Sequence, residues 1–162
     1  MSKEEKKSKS CSKRKPKVSF TSNPSTTSWT ASATSGVGGL EVDLFLVGIA
    51  VTQQNDIVSI DASVTAEIIN VADNAFDTFR LYINRIQVAQ AGFEAESNVF
   101  APNISTCNLI WGGKLPKGRY SIRVTAQLTP TGGNTTIPTS NVITATVPFG
   151  PAKGAFLRVL QN

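Results

Sequence analysis

The sequence predicts an all-β protein: an antiparallel β-sandwich of the jelly-roll kind, preceded by a flexible basic N-terminal arm. Three observations carry that expectation. Between residues 58 and 69, Val58, Ile60, Ala62, Val64, Ala66 and Ile68 alternate with Ser59, Asp61, Ser63, Thr65 and Glu67. Only a period of two fits, because a helix would carry Asp61 and Glu67 into any buried stripe. Tyr120, Ile122, Val124, Ala126 and Leu128 repeat the alternation against Arg119, Ser121, Arg123, Thr125 and Gln127. Gly, Pro and Asn recur between further short β-rich runs, and no segment has a helical period, which suits a sandwich or jelly roll. Register is strongly specified in such strands. A one-residue slip at 58–69 would expose six apolar side chains, at about 1.5–3 kcal/mol for each large aliphatic one.

Taken in order, residues 1–35 contain Lys, Ser, Thr, Pro and Asn with few large apolar groups, a composition that cannot offset the entropy of ordering. They are expected to form the flexible arm, with 36–162 as the sandwich domain. Val18 to Phe20 and Trp29 are exceptions in the arm, able to dock on the body or on a neighbouring subunit as a short strand. Residues 41–51 read as the first strand of the body, 53–56 as a turn, 58–69 as a strand and 70–77 as a loop. Phe79, Leu81 and Ile83 then form a hairpin with Ile86 and Val88 through a two-residue turn at Asn84-Arg85. Residues 91–103 read as a long connection and 104–111 as a strand, with breaks at Gly112-Gly113 and Pro116-Lys117-Gly118. After 119–128, a turn at 130–134 leads to strands at 141–147 and 155–160, separated by Pro148-Phe149-Gly150-Pro151.

Charge is partitioned unevenly. Residues 1–17 hold eight of the sixteen Lys and Arg and two of the eleven acidic residues, a surplus of six positive charges, and the rest of the chain carries a single net negative charge. This partition argues against a basic nucleic-acid footprint on the folded body. No apolar run is long enough for a membrane helix, and no apolar core with a cleavage site follows the charged N-terminus, so synthesis in a cytosol without a signal peptide is expected.

The sequence contains no histidine, which removes the usual general base and commonest metal ligand and makes Ser-His-Asp or Cys-His catalysis impossible. The nearest carboxylate pairs, Glu94 with Glu96 and Asp73 with Asp77, fall in expected loops, where carboxylates are solvated, so no catalytic residue is assigned. Asn70, Asp73, Asn74 and Asp77 lack the spacing of an EF-hand and read as a polar turn, so no metal site is assigned. Gly36-Val37-Gly38-Gly39 lacks the preceding strand and following helix of a phosphate loop, so no cofactor site is assigned. Two sites remain in the arm. Lys6, Lys7, Lys9, Lys13, Arg14, Lys15 and Lys17 could neutralise phosphates of a nucleic acid. Cys11, set among these cations, has the surroundings of a reactive thiol and could cross-link a neighbouring subunit.

The runs 56–65, 79–84 and 115–124 resemble, in rhythm and turns, the tumour-necrosis-factor-like jelly rolls of bacterial spore surfaces, including exosporium and endospore appendage subunits. That resemblance covers about residues 40–162 and implies a structural subunit whose N-terminal connector joins neighbours through cysteines, a role Cys11 would fill. The expected function is thus a non-enzymatic subunit that binds copies of itself, as a trimer or larger array, in a surface layer, fibre or shell, with the arm as tether. A viral capsid protein whose arm binds genomic nucleic acid is the alternative, and an adhesive or ligand-binding sandwich module a third. The expected final location is a spore surface or a virion.

Overall fold

A computed structural model describes residues 17–22, 30–34, 39–69, 75–95, 103–130, 142–146 and 155–161. The expected turn at Asn84-Arg85 makes a tight hairpin, because both residues adopt positive φ, 48° and 70°, as the twist-matching two-residue turn requires. It joins β5 (Ala75–Ile83) to β6 (Ile86–Ala95). The other strands are β1 (Lys17–Ser22), β2 (Thr30–Thr34), β3 (Val42–Val51), β4 (Asp56–Ile69), β7 (Asn103–Leu115), β8 (Gly118–Pro130), β9 (Val142–Thr146) and β10 (Ala155–Gln161). Every pairing is antiparallel.

β4 organises the first sheet. Along one edge it pairs with β7 from Asp56 to Ile68 without a register shift. On its other edge β10 covers Val58 to Val64 and β9 covers Glu67 to Ile69, so β9 and β10 occupy one row in succession. β1 pairs with β10 and β2 with β9, forming a second interrupted row outside the first. The second sheet has the order β3-β8-β5-β6. With each interrupted row counted once, two four-row sheets result, and every other connection between rows apart from the β5–β6 hairpin passes from one sheet to the other. That is the jelly-roll arrangement.

The core lies where the sequence places it. Val58, Ile60, Ala62, Val64, Ala66 and Ile68 of β4 are buried against Phe79, Leu81, Ile122, Val124, Ala126 and Leu128 of the second sheet. Leu109, Leu157 and Val159 complete the first sheet's inner face.

Four expectations change. Val18 to Phe20 docks on the body as a short strand, within Lys17–Ser22, and Thr30–Thr34 is a further strand of the first sheet, so residues ahead of 36 belong to the sandwich. Their short patterns gain stability only by pairing with β10 and β9, partners more than a hundred residues away in the chain. The expected loop at 70–77 ends at Ala75, where β5 begins, so Asp77 sits in a strand. The expected connection at 91–103 instead continues β6 to Ala95, pairing Gly92 with Thr78, Phe93 with Asp77 and Glu94 with Phe76. Gly112-Gly113 does not break β7, because β4 supplies partners for both, Ser59 and Val58. The Trp111 ring folds over Gly113, where an added Cβ would lie 2.7 Å from it, so the ring occupies the space a side chain would take.

Candidate interaction surfaces

The sequence-derived site residues are not assembled into one place. Lys6, Lys7, Lys9, Cys11, Lys13, Arg14 and Lys15 lie outside the described residues, as do Trp29, Gly36 to Gly38, Asn70, Asp73, Asn74 and Glu96. Lys17 opens β1 and pairs with Gln161. Glu94 stands exposed on β6. Among the described residues no group of three His, Cys, Asp or Glu side chains is placed to hold a metal ion.

Asp77, expected in a solvated loop, is instead fully buried, and this corrects the assumption that nothing would desolvate it. β5 turns its odd-numbered residues, Ala75 to Ile83, toward the core, and Asp77 takes an inward position among them. Neither carboxylate oxygen has a hydrogen-bond partner among the described residues. Burial pushes its pKa up to about 7, and the neighbouring Thr78 amide offsets this in part without reaching hydrogen-bonding geometry. Cys107 of β7 is also buried; burial first, and then the Asp77 charge, raise its thiol pKa above the ordinary value. A polar residue at an inward position interrupts the alternation Phe76-Asp77-Thr78-Phe79, and that interruption was the available sequence signal.

The outer face of the second sheet carries a polar network that the sequence reading did not identify. Glu41 accepts hydrogen bonds from Tyr82 Oη at 2.8 Å and from the hydroxyl of buried Thr125, with Arg80 at 3.9 Å. Burial pushes the Glu41 carboxyl up, but the two hydroxyls and the Arg80 and Arg123 charges outweigh it and leave the pKa below its usual value. Arg123 bonds Asp43, which raises its pKa, and lies 5.4 Å from the centre of the Tyr82 ring. Gln127 accepts from Arg80 at 2.9 Å and donates to the Gly39 carbonyl at 3.1 Å, while the Gly39 amide donates to the Leu128 carbonyl at 2.7 Å. These contacts fasten the entry of β3 across β8 and β5. Arg80, Tyr82, Arg123, Thr125 and Gln127 belong to the outward sets of β5 and β8, while Glu41 and Gly39 lie just ahead of β3, and their meeting depends on the order β3-β8-β5.

Large aliphatic side chains stand at the surface of the same rigid strands. Leu46 of β3 is 65% exposed and Ile86, next to the hairpin turn, is 69% exposed. On the outer face of the first sheet, Ile57, Ile104 and Ile110 are 51%, 50% and 70% exposed. They flank an ion pair in which Arg158 donates to Asp61, its Nε at 3.1 Å. Half-buried Phe156 and Leu160 share that face, two residues either side of Arg158. Thr65 and Thr106 hydroxyls, 2.8 Å apart, tie β4 to β7 across it. An open hollow lies on the second sheet between Gly48, Ala50, Asn84, Arg119 and Ser121.

No family model matches the chain, and no curated protein matches it. Among solved structures it is similar to a chain in the structure of infectious bursal disease virus, Gx strain, at 15% identity and a TM-score of 0.48, over 91% of this chain and 41% of that one. It is also similar to the VP2 subviral particle of infectious bursal disease virus, at 15% identity and a TM-score of 0.35, over 90% of this chain and 40% of that one. The chain therefore spans about two fifths of the length of these structures.

Proposed function

We propose that this chain is a non-enzymatic structural subunit that assembles with copies of itself into a surface layer, fibre or shell, with residues ahead of the sandwich as its tether. The observation that carries this reading is the set of aliphatic side chains, Leu46, Ile57, Ile86, Ile104 and Ile110, held half or more exposed on regular strands. Rigid, exposed apolar groups on flat faces and edges are suited to association, since burying them on a partner requires no further ordering of the chain. Charge supports it. The chain beyond residue 17 has one net negative charge, so copies of the body repel one another little. A spore surface or a virion is the proposed place of assembly.

Sedimentation velocity over a range of concentrations, with negative-stain microscopy of the same samples, tests the proposal. Species larger than the 17.2 kDa chain, growing with concentration, are expected. A single monomeric species throughout would overturn it. If Cys11 acts in the tether, Cys11→Ser removes a dimer band from non-reducing gels. The second reading, a coat protein whose arm binds genomic nucleic acid, is favoured by the surplus of six positive charges in residues 1–17. It requires RNA binding that weakens steeply with salt and is lost when residues 1–16 are deleted.

A further inference from the structure

We propose that β7 is the seam along which two copies of this chain join, edge to edge and antiparallel about a two-fold axis at Cys107. This deepens the self-assembly reading and rests on it for the identity of the partner. An edge strand presents a row of unpaired backbone donors and acceptors, and proteins blunt such rows with short strands, bulges, prolines or charges. Three edges of this sandwich are blunted. The outer row of the first sheet is divided into β1 and β2, of six and five residues, with a register shift between Val18 and Phe20. β3 has a shift between Asp43 and Phe45. β6 is paired to β5 across a shift between Leu81 and Tyr82.

β7 has none of these protections. It is thirteen residues long, contains no proline, carries one charge, Lys114, near its end, and runs along β4 with no shift. Among the described residues its ladder is with β4 alone.

The sequence of β7 is also self-complementary. Antiparallel pairing about Cys107 sets Ile104 opposite the partner's Ile110, Thr106 opposite the partner's Asn108, and Ile110 opposite the partner's Ile104. All of these face outward on the first sheet. Directly opposed residues in such a ladder have Cβ atoms about 4.5–5.5 Å apart. The two isoleucine pairs would therefore cover side chains that stand 50% and 70% exposed in the single chain. The paired segment, residues 103–111, contains no charged residue, so no like charges oppose one another. A two-fold seam of this kind closes on itself. It yields a dimer with one continuous sheet across both copies, and growth beyond the dimer falls to other faces.

The test uses the full-length chain carrying Cys11→Ser and Cys107→Ala, because the seam also sets Cys107 opposite the partner's Cys107. Ile104→Cys and Ile110→Cys chains are prepared separately, then oxidised alone and as a mixture. The seam predicts a disulfide-linked dimer in the mixture and in neither chain alone. Ile110→Lys provides the second measurement, since that side chain is exposed and its exchange leaves the core intact. Its dimer dissociation constant in sedimentation velocity is expected to rise at least tenfold, with an unchanged circular-dichroism spectrum. A mixture without the cross-link, a cross-link in one chain alone, or Ile110→Lys associating like the wild type would overturn the seam while leaving self-assembly standing. A wild-type chain that stays monomeric would overturn both.

Discussion

A carboxylate buried in an apolar core is the least comfortable residue in this molecule. Asp77 is fully enclosed, with neither oxygen partnered among the described residues, and its neighbours across the ladders are Phe93 and Leu128. The titratable side chain facing it from the opposite sheet among the described residues is Cys107, itself held as the thiol by burial. With the folded pKa raised from 3.8 to about 7, the folded state holds a proton that the unfolded state releases between those values. Stability is therefore full below about pH 4 and is lost progressively as pH rises through about 7. At about 1.4 kcal/mol per pH unit, the loss is on the order of 4 kcal/mol. Urea denaturation at several pH values is expected to show this decline in the wild type and a nearly flat profile in Asp77→Asn. A wild-type profile as flat as that of the variant would mean that the carboxyl finds a partner or water. Alternation alone does not place this residue, because an inward aspartate breaks the apolar pattern that marks a strand, although Phe79, Leu81 and Ile83 continue the same inward row.

Strands were legible where alternation is pure. β4 from Val58 to Ile68 and β8 from Tyr120 to Leu128 show this, since every second residue there is apolar and the intervening ones are polar, and the structure buries those apolar positions, Tyr120 in part. The later part of β6 is not legible in the sequence because Ala89, Ala91 and Gly92 have little apolar signal, and its continuation to Ala95 comes from β5 as its neighbour. The β5–β6 turn was located correctly, and its geometry separates the roles of its two residues. Arg85, at φ 70°, occupies the left-handed region, a conformation that costs a non-glycine residue about 1–2 kcal/mol. Glycine escapes that strain but loses about 0.5–1 kcal/mol in chain entropy, so Arg85→Gly is expected to stabilise by up to about 1 kcal/mol. Asn84 differs because its Oδ1 accepts the Ser121 amide at 2.8 Å while its own amide donates to the Ser121 carbonyl at 2.9 Å. Asn84→Gly keeps the φ and drops the side-chain acceptor, and a loss of about 0.5–1.5 kcal/mol is expected. Denaturant midpoints that shift in the same direction for both variants would contradict this division of roles.

At the scale of the molecule, the order of rows was beyond the sequence, because nothing in the Val58 strand states that β10 and β9 share one of its edges and β7 takes the other. The same gap hid the true edge of the body. Val18 to Phe20 stands out from the arm's composition, but only the row order shows that Lys17–Ser22 is the outer neighbour of β10, whose Leu157 and Val159 are wholly buried in the core. Two truncations separate these regions. Removing residues 1–16 takes away seven Lys or Arg and two Glu, which brings the formal net charge from +5 to zero and leaves every described strand in place. Thermal stability is expected to hold, while solubility near neutral pH falls as repulsion between copies disappears. Removing residues 1–22 also strips the ladder from Lys17 to Ser22 and leaves β10 as an open edge. Several backbone hydrogen bonds, at about 0.5–1.5 kcal/mol each, amount to a loss on the order of 2–5 kcal/mol, or about 5–15 °C in Tm for a chain of this size. Differential scanning calorimetry of the two truncated chains reads the difference directly. Equal Tm values would show that β1 adds nothing to the sandwich, and the body would then begin after residue 22.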